Sequence, residues 1–472
     1  MSIPGLKPDG TWDVPADVNM ARQCLDHPPE QVAVIDLTGE DRWDGSYGDL
    51  GLMADGIART LKARVQRGDR VGVLLSQSPW LLAAHIACWK IGVISVPLFK
   101  LFKHDALKTR VQDAGCEIVL TDPGGKDLLG NLAEGWLVDQ IGVDGGAVPY
   151  AETEPETPSI LIYTSGTTGK PKGALHGHRM LTGHFPGVYL HHNHLGQPGD
   201  VLWTPADWAW IGGLFNVAIA GLALGVPVVA ARMDKFSAEG MAQIIKTSGA
   251  RNLFLPPTVL RMLKASDTHI PGLRSVMCGG EPLGAEMLDW GRRAFGLTIN
   301  ETFGQTECNL CITTCSADYE PKLGAAGKPT PGFEVEVIDA DGNPAGGEGD
   351  IAVRRGSSPA MMLEYWNRPD ATAAKYRDDW MLMGDRGIRD GEFIRFVGRE
   401  DDVITSAGYR IGPSEIEDCL LTHPGVATVG VVGKPDEVRT EIVKAYVVLK
   451  PEAEAEEAEL QDWVKARLAA YS

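Results

Sequence analysis

The stretch Thr164-Ser-Gly-Thr-Thr-Gly-Lys-Pro-Lys-Gly173 directly follows a short apolar run, Ser159-Ile-Leu-Ile-Tyr163. The apolar run predicts a buried strand, and the glycines after it predict a loop whose backbone N–H groups can approach an anion. Hydroxyl and lysine side chains supply further donors. The stretch is not a Walker A loop, because GxxxxGK[ST] cannot be laid on it and Pro171 follows the first lysine. It predicts a phosphate-binding loop, although its composition alone is equally typical of a plain surface turn.

The sequence around this loop is typical of an α/β protein. Amphipathic helical stretches alternate with apolar runs such as Val71-Gly-Val-Leu-Leu75, which predicts layered α/β subdomains. After about Gly332 short strand-like runs are separated by turn residues, which predicts a β-rich subdomain. A charged segment, Gly398-Arg-Glu-Asp-Asp402, then predicts a boundary. We therefore expect a large N-terminal domain over residues 1–398 and a small α+β domain over residues 399–472.

The composition is that of a folded protein. Hydrophobic residues make up 44% and charged residues 23% of the 472 residues. This length exceeds the roughly 250 to 300 residues at which single cores stop growing, so more than one domain is expected. The net charge of -19 argues against sequence-independent binding to nucleic acid, which depends on Lys and Arg. The sequence leaves open whether the chain forms a homo-oligomer.

Targeting and redox signals point to the cytoplasm. Residues 1–15 have neither the basic nor the apolar segment of a signal peptide, and no run of about 18 apolar residues follows. We therefore expect no membrane span. The eight scattered cysteines do not form a disulfide framework and are expected to be free thiols.

The octapeptide Asn300-Glu-Thr-Phe-Gly-Gln-Thr-Glu307 combines residues that suit a nucleotide triphosphate. Phe303 can stack on a purine and Gln305 can hydrogen-bond its edge. Thr306 offers a hydroxyl for phosphate, and Glu307 offers a carboxylate for Mg²⁺. In isolation the same octapeptide is also typical of a solvated turn.

Three charged residues further along suit the rest of a nucleotide. The Asp385 carboxylate can accept hydrogen bonds from two ribose hydroxyls, and Arg399 and Arg410 can neutralise phosphate charge. Either arginine alone would more often form a surface ion pair.

Two groups of potential metal ligands have a simpler interpretation. Cys308, Cys311 and Cys315 have suggestive spacing, but no fourth cysteine is near and their segment is apolar. The segment after the phosphate loop is rich in histidines without regular ligand spacing, and they are expected to line a helix: His176, His178, His184, His191, His192 and His194.

Five motifs in order resemble those of the adenylate-forming superfamily, which includes acyl-CoA synthetases, adenylation domains of peptide synthetases and luciferases. Besides the loop and the octapeptide, these are Gly279-Gly-Glu-Pro-Leu283, Gly384-Asp385 with the charged segment at 398–402, and Gly408-Tyr-Arg-Ile-Gly-Pro-Ser-Glu-Ile-Glu417. The resemblance covers essentially the whole chain. It implies ATP, Mg²⁺ and coenzyme A as cofactors and a carboxylic acid as substrate.

The resemblance also implies roles for individual residues. Asp401 corresponds to the hinge of the small domain, and Glu307 to the Mg²⁺ ligand. The implied catalytic residues are Thr164, Lys172, Thr306, Glu307 and Arg410. The implied nucleotide and cofactor contacts are Thr164, Ser165, Gly166, Thr167, Thr168, Gly169, Lys170, Gly280, Glu281, Pro282, Asn300, Glu301, Thr302, Phe303, Gln305, Thr306, Asp385, Arg399 and Gly408.

The acid is expected to bind beside the aromatic segment Thr204-Pro-Ala-Asp-Trp-Ala-Trp-Ile-Gly-Gly213, because an acyl tail needs an apolar slot. Trp208, Trp210, Gly212 and Gly213 are the candidates there, with burial of the tryptophans in the core as the alternative. The resemblance places Gly304 at the pocket floor, where acetyl-specific members carry Trp. A side chain at this position is expected to project into the slot, so glycine favours acids longer than acetate.

The sequence departs from the family at its end. The C-terminal motif whose lysine reaches the carboxylate and the α-phosphate is absent before Ser472, and Lys465 is a poor substitute. We therefore expect a truncated small domain and slow adenylation.

Together these observations predict an AMP-forming acyl-CoA synthetase for small or medium carboxylic acids. Two alternatives stay open: an adenylation domain that loads a carrier protein, and a binding protein that holds nucleotide or acyl-adenylate without turnover.

Overall fold

The computed structural model of the chain describes residues 2–164, 171–233, 235–280, 283–399, 402, 404–406, 409–411, 413–436 and 440–467. The side chains of residues 405, 406, 409–411, 414, 415 and 440 are outside this description.

The strands are short and follow one another throughout the chain. They are β1 (Val32–Asp36), β2 (Trp43–Ser46), β3 (Arg70–Leu74), β4 (Ile94–Pro97), β5 (Ile118–Thr121), β6 (Glu134–Leu137), β7 (Pro158–Thr164), β8 (Lys172–Gly177), β9 (Leu202–Trp203), β10 (Val228–Ala230), β11 (Asn252–Phe254), β12 (Ser275–Gly279), β13 (Asn300–Gln305), β14 (Asn309–Thr313), β15 (Lys328–Pro329), β16 (Val335–Ile338), β17 (Glu348–Arg354), β18 (Glu364–Tyr365), β19 (Tyr376–Arg377), β20 (Trp380–Asp390), β21 (Phe393–Arg399), β22 (Ile404–Ser406), β23 (Tyr409–Ile411), β24 (Val426–Asp436) and β25 (Thr440–Leu449).

The helices lie between them and pack on the sheets. They are α1 (Met20–Leu25), α2 (Tyr47–Lys62), α3 (Pro79–Lys90), α4 (His104–Ala114), α5 (Pro123–Leu129), α6 (Met180–His191), α7 (Ile211–Gly213), α8 (Ala220–Ala223), α9 (Ala238–Ser248), α10 (Pro257–Ala265), α11 (Gly284–Phe295), α12 (Pro369–Ala374), α13 (Pro413–Leu421) and α14 (Glu457–Lys465), with a 3₁₀ turn at Val138–Gln140 and a π-helix at Leu214–Ile219.

The described strands fall into four sheets, and two of them form the layered α/β part. One has the order β18-β8-β7-β4-β3-β5-β6, and the other has the order β15-β14-β13-β12-β11-β9-β10-β1-β2. In the first sheet the adjacent strands from β7 to β6 pair in parallel, and in the second sheet so do the adjacent strands from β13 to β1. The β7–β8, β8–β18, β13–β14 and β14–β15 pairs are antiparallel. Ligands of such sheets bind beyond the carboxyl ends of parallel strands, and β7, β12 and β13 lead into the predicted nucleotide motifs at those ends.

The other two sheets are antiparallel and come later in the chain. Strands β16, β17, β20 and β19 form one sheet, with β21 beside β20, and β23, β22, β25 and β24 form the other. The first is the β-rich subdomain that the sequence predicts after Gly332. The second, with α13 and α14, lies in the region predicted as a small α+β domain. The predicted boundary at 398/399 falls at the last residues of β21 and stays a prediction.

Local signals in the sequence set the helix starts. Ser46 caps α2 and Asp49 returns the contact, because the Ser46 side chain accepts from the Asp49 N–H and the Asp49 carboxylate accepts from the Ser46 N–H. Helix α3 starts at Pro79 after Ser78, which accepts from the Leu81 N–H. Such caps contribute about 1 kcal/mol each.

The cores are apolar and their thiols are free. The largest fully buried side chains include Trp89, Trp203, Trp208 and Phe215. All eight cysteines are buried and unbridged, which confirms the prediction of free thiols. Among the described helices, none combines the length and apolar character needed to cross a membrane.

Candidate active site

A cleft of about 2710 Å³ joins the predicted motifs. Its lining comes from the ends of β7 and β8, from β13 and the residues after it, from β20 and β21, and from α11 and α13. The parallel strands of the two large sheets deliver their carboxyl ends to this region, which explains why motifs far apart in sequence meet there.

The phosphate end of the cleft lies at the β7–β8 hairpin. Thr164 ends β7, and its hydroxyl donates to the Lys172 carbonyl at 3.3 Å. The Lys172 side chain is exposed, with its Nζ 5.2 Å from the ring centroid of Tyr365. Both Thr164 and Lys172 line the cleft, and their predicted phosphate-binding roles stay predictions. The remaining loop residues assigned to phosphate binding, Ser165, Gly166, Thr167, Thr168, Gly169 and Lys170, lie outside the described residues.

Glu307 is held by a partner that the sequence did not indicate. The Tyr365 hydroxyl donates to Glu307 Oε1, and both residues are buried while lining the cleft. Burial, with the adjacent Glu307 charge and hydrogen bond, raises the pKa of Tyr365 above its ordinary value. The phenol therefore remains a neutral donor and orients the carboxylate.

Tyr365 reaches this place through sheet pairing. It lies opposite Ala174 in the β18–β8 ladder, which brings it beside the phosphate hairpin. No motif in the sequence marks it, because it is separated from Glu307 by 58 positions.

The residues after β13 fit a Mg²⁺ ion. Thr306 and Glu307 are adjacent and both line the cleft. Hydroxyl and carboxylate oxygens are the hard donors that Mg²⁺ prefers. The Tyr365 hydrogen bond engages Glu307 Oε1, and in the part of the chain that the structure describes no hydrogen bond or ion pair engages Oε2.

Gln305 does not have the predicted role. Its amide Nε2 donates to the Met383 carbonyl at 2.7 Å, and its Oε1 accepts from Lys375 Nζ at 2.5 Å. The prediction that this amide reads a purine edge is therefore wrong for this structure, because both ends are used within the protein. Gln305 instead holds Lys375, a further cation on the cleft wall that sequence reasoning missed.

The first residue of the octapeptide has a structural role. Asn300 is fully buried, donates to the His191 carbonyl at 2.7 Å and accepts from the Ser316 N–H at 2.9 Å. Its assignment as a nucleotide contact is corrected, since its side chain is satisfied away from the cleft. Thr302 lines the cleft, and its assignment as a nucleotide contact stays a prediction.

Glu301 lies on the cleft wall and is anchored to the start of α11. Its carboxylate accepts from the Leu283 N–H at 3.0 Å. Burial, assisted by the charge of Asp418, raises the pKa of Glu301 to about 7.

The adenosine end combines residues of β13, β20 and β21 with Gly280, which follows β12. Asp385 on β20 lies opposite Arg399 on β21. Phe303 on β13 packs with Phe396 on β21, with 6.1 Å between ring centroids. These residues and Gly280 all line the cleft, and the adenine and ribose roles assigned to them stay predictions. Glu281 and Pro282 lie outside the described residues.

The two tryptophans of the predicted acyl segment have different positions. Trp208 is fully buried in the main core, so its assignment to the acid site is corrected. Trp210 lines the cleft and packs against Phe99 and Phe102, with ring centroids 5.5 and 6.1 Å away. It forms an apolar wall.

The glycines of this segment face protein atoms. A Cβ at Gly212 would lie 3.0 Å from the Phe254 ring, and one at Gly213 would lie 2.4 Å from the Asp207 carbonyl oxygen. Neither glycine is among the residues that line the cleft, so these two assignments are corrected. The backbone contact requires glycine at Gly213, whereas a side chain at Gly212 would require the Phe254 ring to shift by a few tenths of an ångström.

Gly304 is exposed on the cleft, but the predicted direction of a side chain is wrong. A Cβ at this position would lie 1.7 Å from the Asn309 carbonyl oxygen. The register of β13 and β14 shifts between Phe303 and Gly304, and this irregularity turns the missing side chain into the neighbouring strand. In this structure the backbone contact leaves no room for a side chain at Gly304, so the glycine alone does not indicate a preference for longer acids.

Three predicted residues of the small domain cannot be placed. Asp401 and Gly408 lie outside the described residues, as does the Arg410 side chain. In the described part of this domain, α13 lines the cleft. It lies close to α11, because a Cβ at Gly284, the first residue of α11, would lie 2.6 Å from Asp418 Oδ1.

Comparisons with known proteins agree with this geometry. The model of the AMP-binding enzyme family matches residues 20–366, and that of the AMP-binding enzyme C-terminal domain matches residues 415–472. The human mitochondrial acyl-coenzyme A synthetase ACSM4 is 34% identical over 466 residues, covering 92% of this chain and 80% of its own length.

Solved structures agree as well. The acyl-CoA synthetase of Brucella canis is 30% identical, with a TM-score of 0.76 over 96% of this chain and 89% of its own. ATP-bound MatB from Rhodopseudomonas palustris is 25% identical, with a TM-score of 0.84 over 96% of this chain and 93% of its own. The predicted family resemblance and mixed α/β class are confirmed. With its motifs gathered around one cleft and both family models matched in order, the chain belongs to the AMP-binding enzyme family.

Proposed function

We propose that this protein joins a small or medium-chain carboxylic acid to coenzyme A in two steps, with ATP cleaved to AMP and pyrophosphate. The observation that carries the proposal is the convergence of Lys172, Thr306, Glu307 and Asp385 on one cleft that Trp210 borders with an apolar wall. The relatives confirm the predicted class, an AMP-forming acid–thiol ligase that uses ATP, Mg²⁺ and coenzyme A.

In the first step a carboxylate oxygen of the acid attacks the α-phosphorus of ATP, and the bond to the β-phosphate oxygen breaks. We assign Thr164, Lys172 and Thr306 to the phosphates, where hydroxyl and ammonium donors stabilise the charge that develops. Glu307, oriented by the Tyr365 hydroxyl, would hold Mg²⁺, which supplies charge neutralisation when bound. Asp385 and Phe303 would position the ribose and the adenine.

In the second step the sulfur of coenzyme A attacks the acyl carbon, AMP leaves and the thiol proton passes to solvent. This step requires the small domain to present its cleft-facing residues. The predicted hinge at Asp401 and the predicted roles of Gly408 and Arg410 stay part of this proposal.

For the acid we assign Trp210 rather than Gly304 as the residue that sets the pocket. Its indole borders the cleft, and Phe99 and Phe102 support it from behind. Each methylene of the acid that it buries contributes about 0.8 kcal/mol. A cytoplasmic location also stays a prediction, since the ACSM4 relative is mitochondrial.

The test is acid-dependent ATP–pyrophosphate exchange together with CoA-ester formation across acetate, butyrate, hexanoate, benzoate and branched acids. Trp210→Ala should lower kcat/KM for hexanoate by about tenfold or more and for acetate by much less, because only the longer chain loses burial. Exchange without any CoA ester would favour a carrier-protein loading domain. Nucleotide binding without exchange would favour the non-catalytic alternative.

A further inference from the structure

A cluster of three potential metal ligands lies apart from the cleft. His194 follows α6, and Cys315 and Asp318 lie in the turn after β14. His194 Nε2 is 2.8 Å from Asp318 Oδ1 and 3.9 Å from Cys315 Sγ. Each of the three residues offers one ligand atom, and these three atoms all lie within 4.8 Å of one another.

His194 belongs to the histidine-rich segment and Cys315 to the group of three cysteines. The sequence spacing within neither group indicated a metal site. Cys308 and Cys311 point elsewhere, since the Cys308 thiol contacts Met383 and the Cys311 thiol lies near the Phe303 carbonyl. Cys315 instead meets His194 across 121 positions of sequence. Spacing along the chain therefore could not reveal the site.

The surroundings hold the ligands in place. His194 stacks on Tyr189, with 5.2 Å between ring centroids, and its backbone has a φ of 65°, which non-glycine residues adopt rarely. The N–H of Asp318 donates to the Cys315 carbonyl at 3.1 Å, so both ligands share one turn. Cys315 is 2% exposed, whereas the Asp318 side chain is 44% exposed, so an ion can enter from the Asp318 side.

We propose that His194, Cys315 and Asp318 bind a borderline-soft divalent cation of the Zn²⁺ class, with one coordination position left for water. Thiolate and imidazole ligands select such ions over Mg²⁺, which prefers oxygen. Bonds of about 2.0 to 2.3 Å at tetrahedral angles separate ligand atoms by roughly 3.3 to 3.8 Å. The separations in the structure, 2.8 Å from His194 to Asp318 and 3.9 Å from His194 to Cys315, lie just below and just above that range. Rotation of the half-exposed Asp318 side chain brings its carboxylate oxygen to the required separation.

The bound ion would connect the end of α6 to the segment after β14. Both elements border the nucleotide motifs: α6 follows the phosphate hairpin, and β14 pairs with β13. The ion therefore acts as a cross-link behind the active site and takes no part in the reaction proposed above.

The site is tested by titrating the full-length, chelator-treated protein with Co²⁺ and then displacing Co²⁺ with Zn²⁺. We expect one tightly bound ion per chain with a thiolate-to-cobalt charge-transfer band, which distinguishes it from any weaker binding at the oxygen ligands of Glu307. Cys315→Ser should abolish the band, and Asp318→Asn and His194→Gln should weaken binding at least tenfold, the loss already typical of outer-shell changes. The control is His269→Gln, which removes a comparable exposed pair with Asp267 at 3.3 Å and should leave binding unchanged.

Circular dichroism of each variant without metal verifies the fold. Asp318→Asn is the milder variant, because its side chain is half exposed, and it keeps the test valid if Cys315→Ser misfolds. Absence of stoichiometric Co²⁺ binding, a band that survives Cys315→Ser, or an Asp318→Asn variant with parental affinity would overturn the proposal and leave a plain surface ion pair beside a buried thiol.

Discussion

Lowering the pH from 7.5 to 5.5 should destabilise this protein through its buried histidines. In the described part of the chain, burial lowers the pKa of several of them from 6.5 to about 3 or 4: His85, His176, His178, His184, His191 and His192. These residues stay neutral in the folded protein, whereas the unfolded chain takes up protons below pH 6.5. The stability that these neutral histidines contribute is therefore fully present above pH 6.5, and it decreases as the pH falls towards their pKa values in the folded protein.

The magnitude follows from proton linkage. Between pH 7.5 and 5.5 each such histidine removes about 1.4 kcal/mol from the free energy of unfolding, or at most about 8 kcal/mol together. Glu301 acts in the opposite direction, because its pKa is raised to about 7 and protonation favours the folded state. It offsets about 2 kcal/mol. Asp418, whose pKa burial raises to about 6, offsets roughly 1 kcal/mol more. The remaining loss of about 5 kcal/mol is comparable to the whole stability of many domains.

The assay is urea unfolding at pH 7.5, 6.5 and 5.5 at constant ionic strength, followed by tryptophan fluorescence. His184→Gln should reduce the loss between pH 7.5 and 5.5 by about 1.4 kcal/mol, because glutamine does not titrate. His269→Gln, at a half-exposed position, is the control for the substitution itself. Equal stability at pH 7.5 and 5.5, or a His184→Gln variant with the parental pH dependence, would refute the reasoning.

The other predictions concern the cleft. Gly304→Ala should destabilise the protein by several kcal/mol in urea unfolding, since its Cβ would lie 1.7 Å from the Asn309 carbonyl oxygen. Gly430→Ala, with no atom within 4 Å of the added Cβ, is the matched control, and equal stability of the two variants would contradict the geometry. Glu307→Gln should slow pyrophosphate exchange at limiting Mg²⁺ by about a hundredfold or more without loss of fold; parental exchange would show that Glu307 does not act on MgATP. Tyr365→Phe should slow exchange less and raise the Mg²⁺ requirement, because the Glu307 carboxylate remains but loses its orienting donor, and an unchanged Mg²⁺ dependence would count against that role.

Much of the fold could be predicted because its signals are local. The apolar run before Thr164 predicted the strand β7, and the short runs after Gly332 predicted the β-rich subdomain. Caps and glycines mark element ends within a few residues of the chain. Burial and periodicity thus determine the elements without knowledge of their partners.

The site was predicted less completely, because several of its contacts join distant segments. Tyr365 and Lys375 contact the octapeptide through sheet pairing and a turn that no local pattern marks. Gln305 has the right chemistry for a purine edge but is used by protein partners. Gly304 shows the converse case: the shift in β-strand register that requires glycine there is invisible in the sequence.

The central claim is tested most directly by the products formed from hexanoate, MgATP and coenzyme A. Chromatography with mass detection should find hexanoyl-CoA, AMP and pyrophosphate in equal amounts, and none of them when the acid is omitted. Supplying hexanoyl-adenylate with coenzyme A, without ATP, should give the same thioester and AMP. Formation of ADP and phosphate, or ATP cleavage that does not depend on the acid, would contradict the account.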